Sequence, residues 1–255
     1  MPKNNNNKAV KKKVTIDSNA VTSKAHRNIP VVGIGASAGG LNAFKAFFSH
    51  MPDSSGMAFV LVPHLNPTHQ SLMVELLTKE TAMPVCEAAD KMLVEADHVY
   101  VIPPGRYLTI RNSKLRLSAP LKTRGAETAI DNFLRSLAAD QEEHAIGIIL
   151  SGTGSHGTSG LQEIKAIGGM TMVQNPDTAE YDRMPQSAID SGCIDYILSP
   201  QDMPEVLIKY ARHAYLKGDW KSAELADTDQ EQLNRILALL RARIKYDFRC
   251  YRKNM

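Results

Sequence analysis

The chain has 255 residues, of which 43% are apolar and 22% charged, the ordinary range of a globular protein rather than of a membrane-embedded or low-complexity one. Its formal charge of +3 is unevenly spread: residues 1–29 carry +6 and residues 241–255 carry +5, leaving −8 for residues 30–240. A nucleic-acid binder concentrates positive charge on its folded body, so an acidic body between basic ends argues against nucleic acid as a partner.

Taken in chain order, residues 1–28 are rich in Asn, Lys and Ser and are expected to form a disordered basic arm, with no apolar stretch that would make a secretory signal. Ile29 opens a different texture. Pro30–Gly35 reads as a buried strand and Leu41–Ser49 as an amphipathic helix. Met57–Val62 is a second apolar strand, followed by a helix near Gln70–Thr78. Shorter strands are expected at Met83–Glu87 and His98–Ile102, then a hairpin of Tyr107–Ile110 and Lys114–Leu117 across Asn112-Ser113. Thr128 can cap a helix to about Ala139; Ala145–Leu150 is a third apolar strand, and a helix over Thr158–Ile167 follows. Met170–Gln174 and Ile194–Leu198 complete the strands, and a helix is expected near Met203–Leu216.

Continuous apolar strands alternating with helices predict an α/β fold over residues 29–216: a doubly wound, mostly parallel, Rossmann-like sheet with helices on both faces. Residues 217–227 read as a polar linker. Residues 228–255 hold a capping box, Thr228 to Glu231, and a helix striped with Leu233, Ile236, Leu237, Leu240 and Ile244. No apolar run reaches the roughly 18 residues of a membrane span, so no membrane insertion is expected. Three scattered cysteines, Cys86, Cys193 and Cys250, fit neither a disulfide framework nor a structural zinc site and suit a reducing cytoplasm. No metal site is predicted.

In a parallel sheet, chemistry is sought just beyond the carboxyl ends of the strands. Three stretches lie there: GIGASAGG at 33–40, PHLNPTH at 63–69 and SGTGSHGTSG at 151–160. The first has GxGxxxG spacing, and the second strand ends in Pro63-His64 rather than in the acidic residue a dinucleotide ribose requires, so a nucleotide cofactor is not expected. The same residues form Gly35-Ala-Ser37-Ala-Gly39, a GxSxG turn that lifts a serine above the sheet, with a helix N-terminus to stabilise an oxyanion. A serine nucleophile needs a base, and His64, at the end of the next strand, is the leading candidate; His69 is a competitor.

These motifs, in this order, resemble the catalytic domain of the chemotaxis protein-glutamate methylesterases from about Ile29 to Ala214. GIGASAGG resembles the family's nucleophile turn, VPHL its histidine segment and LSGTGSHGTSGL the segment with the third triad member. VYVIPPG (99–105), AIDNFLRSLA (129–138) and VQNPDTAEYDRMPQSAI (173–189) are also family-like. The tail at 236–253 resembles the opening helix of the partner methyltransferase domain, which implies the front of an esterase–transferase fusion, and no receiver domain is expected within the 28 polar residues that precede the esterase.

The resemblance implies that Ser37 attacks the methyl ester of a receptor glutamate and that His64 moves the proton, without a cofactor. It also implies glutamine deamidation as a further activity, methylated chemoreceptor cytoplasmic helices and an attached or separate methyltransferase domain as partners, and a cytoplasmic location. One position departs from the family: His156 stands where the family has the triad aspartate. A neutral His156 can still hold the His64 ring, giving a Ser–His–His relay that supplies orientation without negative charge; Asp177 and Asp182 are candidate substitutes. The alternative function is a catalytically degenerate esterase domain that docks on receptors or regulates an attached transferase.

Overall fold

The computed structural model describes residues 29–64, 72–119 and 128–211. The expected arm, linker and C-terminal helix, and His69, lie outside the described residues. The chain up to Ile208 forms one compact unit; of a second, Lys209–Met255, only the first three residues are described.

Seven parallel strands form the main sheet: β1 (Val31–Ala36), β2 (Ala58–Pro63), β3 (Val85–Glu87), β4 (Val99–Val101), β7 (Ile146–Ile149), β8 (Met170–Gln174) and β9 (Tyr196–Leu198). Their order is β3-β4-β2-β1-β7-β8-β9, so the direction of winding reverses on the two sides of β1. The crevice beyond that reversal is where doubly wound sheets bind ligands. β5 (Tyr107–Arg111) and β6 (Lys114–Ser118) make the separate antiparallel hairpin. Its turn residues Asn112 and Ser113 both have positive φ, 52 and 56, which matches the right-handed twist of the strands and carries the hairpin across two residues.

The helices are α1 (Gly40–Phe48), α2 (Met73–Leu77), α3 (Ala129–Gln141), α4 (Thr158–Ala166), α5 (Arg183–Asp190) and α6 (Met203–Ala211). α1 and α3 cover opposite faces of the sheet. On one face, Gly33 and Gly35 leave space that α3 fills: a Cβ on Gly33 would stand 2.9 Å from Phe133, Leu134 and Leu137. On the other, Phe47 and Phe48 of α1 meet the Phe59 ring edge-on at centroid distances of 5.9 and 5.6 Å. Both faces are therefore apolar, and β1, β2 and β7 are buried at every residue.

The sequence-predicted elements are present with ends shifted by a few residues. α5 is an addition: no helix is expected from the sequence between Met170–Gln174 and Ile194–Leu198. Pro185 obscures the helix, yet it sits in the first turn, where its missing N–H removes no intrahelical bond.

Candidate active site

Each strand end contributes one element of the site. Ser37 follows β1, and its backbone N–H donates to the Ser151 carbonyl at 2.9 Å, across the β1–β7 junction. The turn into α1 runs through Gly39 at φ 72. A Cβ there would lie 2.6 Å from Ser151 Oγ and 2.8 Å from Glu180 Cβ, so only glycine lets the chain pass. α1 begins with no side-chain cap; its first N–H, that of Gly40, donates to the Ser37 carbonyl at 2.9 Å, so the positive end of the helix lies at the nucleophile turn.

His64 is the residue after β2, and its N–H donates to the Ala36 carbonyl at 2.7 Å, so parallel pairing continues one step past the strand and sets His64 beside Ser37. The Ser37 hydroxyl donates to the His64 carbonyl at 3.1 Å. Ser37 is 5% exposed, whereas His64 is exposed. His156, in the turn after β7, meets the His64 ring edge-to-face, with centroids 4.7 Å apart and planes at 87°. The three sequence-predicted residues thus come together at one edge of the sheet. His156 Nδ1 is buried and has no hydrogen-bond partner.

Desolvation, and secondarily repulsion from His156, lower the His64 pKa from the ordinary imidazole value. Among the described residues, no carboxylate acts on it. Asp177 and Asp182 are both exposed, and neither forms a hydrogen bond or ion pair with His64 or His156. Asp182 precedes the first turn of α5, and Asp177 lies in a 3₁₀ turn, Pro176–Thr178, whose backbone is held by Asn175. Among the described residues, no cluster of three His, Cys, Asp or Glu side chains could hold a metal ion.

Two buried polar residues that sequence reasoning missed build the scaffold. Ser151, 1% exposed, donates its hydroxyl to the Ala38 carbonyl at 2.9 Å, accepts from Tyr181 N–H at 3.0 Å and takes its own N–H to Gln174 Oε1 at 2.8 Å. It ties the nucleophile turn to β8 and to the loop before α5. Gly152, next to it, is pressed so closely against Ser37 and Met184 that a Cβ would stand 2.9 Å from Ser37 Cβ. Asp131 of α3, also buried, accepts the Gly160 N–H in the first turn of α4, the helix that follows the His156 turn. The available signal was a carboxylate in a helix otherwise apolar on that face, AIDNFLRSLA.

Comparison with known proteins points one way. The family model for CheB methylesterase matches residues 32–207. A protein of Leptospira interrogans named for protein-glutamate methylesterase and protein-glutamine glutaminase activity is 34% identical over 183 residues, covering 71% of this chain and 95% of its own length. A protein-glutamate methylesterase/protein-glutamine glutaminase of Xanthomonas campestris is 31% identical over 188 residues, and the chain spans 52% of its length. The crystal structure of the Thermotoga maritima CheB methylesterase catalytic domain superposes with a TM-score of 0.67 at 28% identity, covering 71% of this chain and 98% of that one.

Proposed function

The chain belongs to the CheB methylesterase family, and we propose that it hydrolyses glutamate methyl esters of chemoreceptors with Ser37 as nucleophile, His64 as base and His156 as the residue that orients the base. The observation that carries this reading is the meeting of Ser37, His64 and His156 beside an uncapped helix N-terminus.

Ser37 Oγ attacks the ester carbonyl carbon while His64 accepts the hydroxyl proton. For that transfer the hydroxyl turns from the His64 carbonyl to the His64 ring, a change of staggered rotamer about χ1. Negative charge collects on the carbonyl oxygen, where the positive end of α1 stabilises it. His64 returns its proton to the departing methoxide, methanol leaves, and water activated by the same imidazole releases the glutamate. An amide in place of the ester gives ammonia by the same steps, which is the proposed glutamine deamidation.

His156 acts through its ring nitrogen without a partner. A small rotation of the two imidazoles converts their edge contact into a hydrogen bond that fixes the His64 tautomer. What it lacks is a fixed negative charge, and the imidazolium formed at His64 is left without the stabilisation a carboxylate provides. The reaction is therefore slower than with an aspartate at this position. The proposed partners are methylated receptor helices and a methyltransferase domain, attached or separate. The proposed domain is residues 29–216.

The test is methanol release from methylated receptor, with Ser37→Ala as control: release by the parent and none by the variant supports the reading. A second reading, a receptor-docking domain without turnover, is favoured by the finding that no carboxylate among the described residues acts on His64. It predicts binding of methylated receptor with no methanol from either protein.

A further inference from the structure

α4 lacks a capping side chain of its own. Its N-cap residue is Gly157, at φ 86, with no side chain to accept the first free N–H groups. That role is filled from another helix. Asp131 Oδ1 accepts the Gly160 N–H at 3.1 Å and the Ser159 hydroxyl at 2.9 Å, both in the first turn of α4. Thr128, the N-cap of α3, donates its hydroxyl to Oδ2, so the carboxylate is itself anchored to the first turn of its own helix. Gly160 permits this approach, since a Cβ there would stand 2.6 Å from Leu134 Cβ and 3.3 Å from Asp131 Cα. Burial alone would raise the Asp131 carboxyl, yet these hydrogen bonds hold it below the ordinary carboxylate range.

α4 starts at Thr158, two residues after His156, so Asp131 fixes the first turn of the helix from which the His156 turn leads. On the other side of His156 lies Gly154, at φ 83, with Thr153, Gly154 and Ser155 exposed. Two glycines in left-handed conformations bracket the histidine: Gly154 on the exposed side, and Gly157, buried against Ile149 and Ile130, on the side of α4.

We propose that Asp131 is a positioning residue for the hydrolysis: it caps α4 across the helix interface and thereby holds the His156 ring against His64. The proposal rests on the reading of His156 as the orienting partner of His64. An ordinary structural carboxylate is the alternative, and the molecule contains one for comparison. Asp97, at the opposite end of the sheet, accepts the Ser55 and Gly56 N–H groups at 2.6 and 2.7 Å and the Ser55 hydroxyl at 3.2 Å.

The experiment compares Asp131→Asn with Asp97→Asn in the full chain, alone and combined with His156→Ala. Asp131→Asn is expected to lower kcat for methanol release about tenfold with KM within about twofold, and to cause no further loss in the His156→Ala background. Asp97→Asn should leave kcat within about twofold in both backgrounds. Independently of turnover, imidazole NMR should show the through-space contact between the His64 and His156 rings in the parent and in Asp97→Asn, and its loss in Asp131→Asn. If Asp131→Asn does not fold, Ser159→Ala removes one of the hydrogen bonds and should weaken the same contact. A loss of kcat that is undiminished in the His156→Ala background, or a His64–His156 contact that survives Asp131→Asn, overturns the proposal. A parent that releases no methanol overturns the enzymatic reading, while the ring contact still decides the role of Asp131.

Discussion

At the scale of single residues, the proposed mechanism turns on position 156. His156→Asp would place a carboxylate beside His64, fix its tautomer and stabilise its charge as Ser37 loses its proton. In serine proteases an uncharged replacement of the triad aspartate costs about 10⁴ in rate, or about 5.4 kcal/mol of barrier. His156 retains the orienting half of that role, so His156→Asp is expected to raise kcat by about 10- to 10³-fold with little change in KM, measured by methanol release and abolished by Ser37→Ala. The pH profile offers a second check. Desolvation and repulsion from His156 lower the His64 pKa, so His64 remains a free base below the pH at which an ordinary imidazole is protonated. The acid limb of kcat/KM in the parent should lie below about pH 6.5; His156→Asp replaces repulsion with attraction and should move that limb upward. Ser37 and His64 were legible in the sequence because each follows an apolar strand, and pairing one step beyond β1 and β2 brings them together. Asp131 and Ser151 were not, because their roles depend on carbonyls and N–H groups more than 20 residues away.

At the scale of elements, two kinds of glycine are distinguished by what a methyl group would meet. Gly33 faces α3, and a Cβ would press on three apolar side chains at 2.9 Å. Gly33→Ala overpacks that interface and should cost about 1–3 kcal/mol, measured by denaturant unfolding, with kcat per folded molecule unchanged. Gly39 faces the site, where φ 72 and the Ser151 hydroxyl both resist a side chain. Gly39→Ala should lower kcat as well as stability, because relieving the collision displaces the Ser37 turn. The buried strands were legible as continuous apolar runs, and so were their carboxyl ends. Residues 183–190 were not read as a helix, since polar residues and Pro185 mask a short amphipathic face that packs against β7, β8 and α4.

At the scale of the whole molecule, burial falls from the centre of the sheet to its edge. β1, β2 and β7 are fully buried, whereas β9, paired on one side only to β8, leaves Tyr196 40% and Ile197 49% exposed. Amide hydrogen exchange should be slowest in β1, β2 and β7 and at least about tenfold faster in β9, since edge strands open without global unfolding. The position of β1 has a consequence for biogenesis. Its two sheet neighbours are β2, which begins at Ala58, and β7, which begins at Ile146, 110 residues after Ala36. At about 5–20 residues per second, a growing chain completes β1 roughly 5–20 s before its second neighbour leaves the ribosome. Through that interval a wholly apolar strand presents an open flank, a risk of aggregation that ends when β7 arrives. The pairing that closes the flank also delivers Ser151 and His156, so nascent chains become safe and complete their catalytic edge in the same step.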